Sequence, residues 1–169
     1  MNVLETGRLR LRWVATADAA FVVELLNDPS WIRFIGDKGV RTIEEASAYI
    51  IKGPIAMYAH HGFGLYVTEL KDSDIPIGLC GLIKRDSLDD VDIGFAFLPA
   101  YRANGYAYES ASAVMAYGRN VLGMKRIVAI TSPDNDDSAK LLRRLGLRFE
   151  RKVRLADDAR EIDLYAPEA

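Results

Sequence analysis

The run Asp92-Ile93-Gly94-Phe95-Ala96-Phe97-Leu98-Pro99-Ala100-Tyr101-Arg102-Ala103-Asn104-Gly105-Tyr106-Ala107 constrains the fold more than any other part of the chain. Val91–Leu98 reads as a strand rich in β-branched and aromatic residues, closed by Pro99, which cannot extend a ladder. After a short loop with one glycine, Gly105–Leu122 reads as the longest helix. Its Ala107, Ala111, Val114, Met115, Gly118, Val121 and Leu122 fall at helical spacing. Such a connection leaves first-turn N–H groups unpaired and adds the positive end of the helix dipole. The loop is therefore an anion site suited to a diphosphate. Gly105 admits an oxygen without a Cβ, small Ala107 does nearly the same, and Arg102 adds a fixed charge. An ordinary strand–loop–helix connection can also use a glycine, so Arg102-x-x-Gly105-x-Ala107 draws its meaning from its surroundings. The rival phosphate patterns are missing: no Gly-x-x-x-x-Gly-Lys-Ser/Thr occurs, and Gly62-Phe63-Gly64 leads into a strand.

Upstream, Leu9, Leu11 and Trp13 alternate with Arg8, Arg10 and Arg12, as on a strand with one solvated face. Helical patterns follow over Ala17–Asn27 and from the capping box Thr42-Ile43-Glu44-Glu45 to Gly53-Pro54, with a helical turn at Ser30–Ile35 between them. Gly64–Leu70, Pro76–Arg85 and Val91–Leu98 read as three consecutive antiparallel strands. Beyond the long helix come a buried strand (Arg126–Thr131), a helix capped by Asn135 and stopped by Gly146, and a closing hairpin (Leu147–Val153 and Arg160–Ala166). The expected fold is one α/β (α+β) domain over residues 1–169, with a mixed, mostly antiparallel sheet and helices on both faces.

The net charge of −2 and the nearer explanation of the arginine clusters argue against a nucleic-acid partner. No apolar stretch is long enough to span a bilayer, and the N-terminus lacks a signal-peptide pattern, so no membrane partner is expected. A single cysteine, Cys80, fits a reducing, cytoplasmic setting and reads as a small buried hydrophobe. His60-His61 lacks metal-ligand spacing, and no metal site is expected.

The strand, loop and helix around Arg102–Ala107 resemble motif A of the Gcn5-related N-acetyltransferases (GNAT), whose pattern is Gln/Arg-x-x-Gly-x-Gly/Ala. Asn135-Asp136-Asp137-Ser138-Ala139-Lys140-Leu141-Leu142-Arg143-Arg144-Leu145-Gly146-Leu147 resembles motif B. Glu5–Arg12 and Gly62-Phe63-Gly64-Leu65 resemble the RimJ/RimL-like branch. The resemblance implies a six- to seven-stranded sheet and acetyl-CoA as co-substrate. Backbone groups of Phe95, Ala96 and Phe97 would pair with the pantetheine arm as an added strand. Arg102, Ala103, Asn104, Gly105, Tyr106 and Ala107 would hold the pyrophosphate, and Asn135 would reach the pantetheine while capping its helix, with the cap alone as the structural alternative. A homodimer is common in the family.

The family reaction is direct attack of an amine on the thioester. In the best-known N-terminal acetyltransferases a glutamate base and a tyrosine acid flank the motif B asparagine, whereas Ile130 and Leu142 stand at those positions here. The RimL-like pattern places a serine where Ser138 stands, making it the candidate partner of the leaving sulfur; a serine bonded to backbone is the structural alternative. Asp92 is the candidate base, with plain solvent exposure as its alternative. At pH 7, deprotonating an α-amine costs roughly 1.4 kcal/mol and a lysine-like amine roughly 4.6 kcal/mol. A general base supplies about 3–5 kcal/mol. A weak or water-linked base thus suits the α-amine of a protein N-terminus, with a small-molecule amine also open. Ile130 and Leu142 also admit an inactive acyl-CoA-binding module.

Overall fold

Eight strands form one mixed sheet in the order β1-β2-β3-β4-β5-β6-β8-β7 in the computed structural model, which describes residues 1–168. The strands are β1 (Asn2–Glu5), β2 (Leu9–Trp13), β3 (Leu65–Leu70), β4 (Pro76–Ile83), β5 (Val91–Phe97), β6 (Ile127–Thr131), β7 (Leu147–Val153) and β8 (Ile162–Pro167). Every neighbouring pair is antiparallel except β5–β6. The fold class is as expected. The additional strand is β1, a four-residue edge with only Val3 and Leu4 half-buried, too short to show alternation in sequence.

Helices cover both faces. On one, α5 (Tyr106–Asn120) and α6 (Asp136–Arg144) pack with Leu82, Ile93, Phe97, Ile127 and Tyr165. On the other, α1 (Ala19–Leu26), α2 (Pro29–Phe34) and α3 (Ile43–Ile50) enclose Val22, Leu25, Trp31, Ala46 and Ile50 against Val67 and Leu79. The packing of α5 is close: a Cβ on Gly118 would lie 2.8 Å from Ile127 Cδ1.

Gly53-Pro54 does not end the third helix. Ile51–Ile55 forms a π-helical turn and α4 (Ala56–His61) carries the path on. Widening the turn absorbs the missing proline N–H and the ring's clash with the preceding turn. The stop is Gly62, in the left-handed region at φ 78°. The first helical pattern, expected from Ala17, begins as a 3-10 turn (Thr16–Asp18), where the Asp18 carboxylate receives the Ala15 N–H at 2.8 Å before α1.

The clustered arginines are structural. Arg10 and Arg12 both reach the buried Glu69, each at 3.0 Å, and Arg12 also pairs with Asp18 at 2.8 Å. Among the described residues, no helix is long and apolar enough to cross a membrane, and no group of three or more His, Cys, Asp or Glu could hold a metal.

Candidate active site

Strands β5 and β6 run parallel for only two paired positions, Val91↔Ile127 and Asp92↔Val128, and then diverge. β6 turns to β8, pairing Ala129, Ile130 and Thr131 with Tyr165, Leu164 and Asp163. The Leu98 N–H donates to Ile77 C=O at 2.9 Å, which sets the alternation of the β4–β5 ladder. Asp92, Gly94 and Ala96 therefore exchange bonds with β4, while Phe95 and Phe97 direct N–H and C=O into the gap. Of the three residues expected to offer backbone to a pantetheine arm, Phe95 and Phe97 face the gap. Ala96 turns its backbone to β4 and its side chain toward the α1–α3 face.

Both diverging strands lead to helix N-termini. From β5 the chain passes through a 3-10 turn (Pro99–Tyr101) into Arg102–Gly105 and α5. Ala103 and Gly105 both adopt positive φ, 61° and 83°. The Arg102 N–H is taken by Pro99 C=O at 3.3 Å, whereas no N–H from Ala103 to Tyr108 meets a turn or loop carbonyl among the described residues. The first helical bond is Glu109 N–H to Gly105 C=O at 3.0 Å. A row of free donors beside a residue without Cβ is the geometry that a diphosphate needs, and these residues fit one.

The Arg102 side chain turns away from that row. Its Nε donates to Phe97 C=O (3.0 Å), Nη1 to Ser30 Oγ (3.2 Å) and Nη2 to Asp28 (2.5 Å). Another arginine stands over the loop: Arg8 Nη1 bonds Asn104 C=O at 3.0 Å, and its guanidinium carbon lies 4.3 Å above the Tyr106 ring. Arg8 Nη2 would be 3.3 Å from a Cβ on Gly105. Glu109 fixes it, receiving Arg8 Nε at 2.9 Å, Arg8 N–H at 3.2 Å and Thr6 Oγ at 2.6 Å. Desolvation alone would raise the Glu109 pKa, but the bonds from Thr6 and Arg8 hold it below the usual carboxylate range. Arg8 and Glu109 are 101 residues apart, and nothing local in the sequence pairs them.

At the end of β6, Asn135 caps α6 by accepting the Ser138 N–H at 3.2 Å. The Asn135 amide NH2 and the Ser138 hydroxyl make no bonds to the described residues, and both residues are half-buried. Ser138 is therefore not bonded to helix backbone. Leu142, where an acid stands in better-known relatives, is buried in the core.

Asp92 sits at the last paired position, on the α1–α3 face, and is 1% exposed, so the solvent-exposure alternative does not hold. It receives Arg85 Nε at 3.0 Å. Burial raises its pKa, and the charge and hydrogen bond of Arg85 offset only part of that rise. Cys80 lies in β4 with no exposed surface, and burial pushes its thiol up to about 12. A thiol so held is not a thiolate at neutral pH. Trp31, Tyr58 and Tyr165 are core residues, Tyr58 stacking on Trp13 at 4.5 Å, whereas Phe34 is half-buried on α2.

Residues 8–148 match the protein family described as "Acetyltransferase (GNAT) domain". The chain belongs to the GNAT family of acetyltransferases. Among GNAT relatives, it is 30% identical over 153 residues to the uncharacterized N-acetyltransferase YoaA of Bacillus subtilis, covering 90% of this chain and 86% of that protein. It is 28% identical to the uncharacterized N-acetyltransferase p20 of Bacillus licheniformis, across 98% of this chain and 94% of that one. Among solved structures, a GNAT-family acetyltransferase from Bacillus anthracis superposes with TM-score 0.79 and 25% identity over 98% of this chain and 97% of that one. A RimL ribosomal-protein α-N-acetyltransferase in complex with coenzyme A superposes with TM-score 0.82 at 17% identity, over 98% and 97% of the two chains, which shows the shared fold.

Proposed function

We propose that this acetyltransferase moves acetyl from acetyl-CoA to a primary amine by direct attack. The observation that carries the reading is the opening of β5 from β6 beyond Asp92, with the free N–H row of Ala103–Tyr108 at its end. The pantetheine arm would add as a strand to Phe95 and to the N–H of Phe97, whose C=O already accepts Arg102 Nε, and the diphosphate would rest on the loop and the first turn of α5. Acetyl-CoA supplies the activated thioester. Asn135 would donate its amide to the pantetheine.

Backbone N–H groups at the point of divergence would bond the developing oxyanion. Asp92 would accept the amine proton, directly or through a water. Its raised pKa brings it nearer the working pH than an ordinary aspartate. Ser138, with its hydroxyl free of backbone, would hydrogen-bond the leaving sulfur. Burial of Cys80 favours direct attack over an acyl-cysteine intermediate.

Asp92 is the only carboxylate proposed as a base and is paired with a cation, so the chemistry suits an amine that deprotonates easily, such as a protein N-terminal α-amine. Thiol release from acetyl-CoA in the presence of a panel of N-terminal peptides and small amines tests the reading. Turnover that requires both Asp92 and acetyl-CoA is the expected result. Tight acetyl-CoA binding by calorimetry, with no turnover on any amine, would instead identify an acyl-CoA-binding module.

A further inference from the structure

Arg8 differs from the two arginines that follow it. Arg10 and Arg12 are spent on carboxylates of the sheet, Glu69 among them. Arg8 instead reaches the loop before α5. Its main-chain N–H and its Nε donate to the Glu109 carboxylate at 3.2 and 2.9 Å, and Nη1 donates to Asn104 C=O at 3.0 Å. Nη2 donates to none of the described residues. The guanidinium carbon lies 4.3 Å from the centre of the Tyr106 ring, so the plane of the fork is fixed as well as its edge.

The one free nitrogen is the one beside the glycine. A Cβ on Gly105 would meet Arg8 Nη2 at 3.3 Å and no other atom within 4 Å outside its own stretch of chain. Gly105 leads into the free N–H groups of the first turn of α5. An anionic oxygen taking up the space of the absent Cβ would therefore meet an arginine donor as well as main-chain donors. The donor is also set in place beforehand. An arginine side chain carries about 2 kcal/mol of rotamer freedom, and the contacts with Glu109, Asn104 and Tyr106 restrict it before any ligand arrives. Glu109 is steadied in turn by Thr6 Oγ at 2.6 Å.

Neither of the other arginines near the loop offers as much. Arg102 has Nε, Nη1 and Nη2 engaged by Phe97, Ser30 and Asp28. Arg144 lies over the Tyr108 ring at 4.1 Å and bonds no atom of the loop.

We infer that Arg8 supplies the guanidinium that bonds the diphosphate of acetyl-CoA, through Nη2 at Gly105, while Nε and Nη1 stay on Glu109 and Asn104. The inference rests on the acetyl-CoA reading above. It gives the residue just before β2 a direct part in holding the donor, with Glu109 and Thr6 as the residues that position it.

Calorimetry on the full chain with CoA and with dephospho-CoA, which keeps the diphosphate and lacks the 3′-phosphate, tests the assignment. Arg8→Gln should keep the far-ultraviolet circular dichroism and weaken both ligands about tenfold, as for one charge-assisted contact. The Arg8 side chain is 47% exposed, so that loss should shrink several-fold between low salt and about 1 M, where the Debye length falls to about 3 Å. A residue that only shaped the loop would cost the same affinity at both salt concentrations. Unchanged affinity for CoA, a loss with CoA that is absent with dephospho-CoA, or a loss equal at both salt concentrations overturns the assignment and leaves the acetyl-CoA reading standing. A parent protein that binds neither ligand overturns that reading, and the assignment with it.

Discussion

The Nη2 of Arg102 lies 2.5 Å from the carboxylate of Asp28, 74 residues earlier and 7% exposed at the N-cap of α2. Through Nε on Phe97 C=O, the same guanidinium ties the end of β5 to α2. Arg102 is thus a strut between the loop that precedes α5 and the N-cap of α2, with its guanidinium turned away from the free N–H row.

Replacing Arg102 by Gln should therefore act on stability first. Asp28 would keep only the Trp31 N–H at 3.4 Å and the loss should be about 1–3 kcal/mol. Lysine should not rescue, because one ammonium cannot reach Phe97 C=O, Ser30 and Asp28 together. Thermal denaturation of Arg102→Gln and Arg102→Lys checks both expectations. An unchanged melting temperature in both would deny the strut.

Gly105 tests the cradle itself. At φ 83° any L side chain is strained by roughly 1–2 kcal/mol, and a Cβ would also meet Arg8 Nη2 at 3.3 Å. Gly105→Ala should weaken acetyl-CoA binding about tenfold or more by calorimetry while the far-ultraviolet circular dichroism is kept. Undiminished affinity would move the diphosphate elsewhere.

Cys80 offers a negative control on mechanism. With its thiol buried and its pKa near 12, it should resist iodoacetamide in the native state. Incubation with acetyl-CoA should leave no acetyl mass on the intact protein, and Cys80→Ala should retain turnover. A labelled Cys80 would replace direct attack by a two-step route.

Patterns local in sequence were legible: the alternation in β2, the helical spacing of α5, and the strand–loop–helix that opens on Gly105. What depended on distant partners was not. Asp92 looked solvated beside a polar turn, because nothing local says that α3 and the segment before it cover that face of β5. Arg102 looked like a phosphate ligand because Asp28 is remote, and Arg8 looked like one solvated arginine of three because its partner Glu109 lies on another element. Gly53-Pro54 misled for a different reason: a π turn lets a helix pass a proline that α-helical geometry would reject. For Asp92, Arg102 and Arg8 the backbone conformation was readable and the side-chain partner was not.

Asp92 joins stability and activity in one measurable way. Burial raises its pKa, so the native state keeps the proton to higher pH than the unfolded chain does, where aspartate titrates near about 3.9. Its contribution to stability is therefore full below the unfolded value and is lost as pH rises through the native one. Asp92→Asn removes a buried charge rather than a stabilising one. Its melting temperature, relative to the parent, should improve as pH goes from about 4 to about 7. Turnover should move the opposite way, falling about 10²–10⁴-fold with loss of the rise in kcat/KM that marks the ionisation of Asp92. Tm and kcat/KM measured across that range separate the two roles. A variant that loses stability at neutral pH and keeps its pH–rate profile would show Asp92 to be a structural partner of Arg85 and not the base.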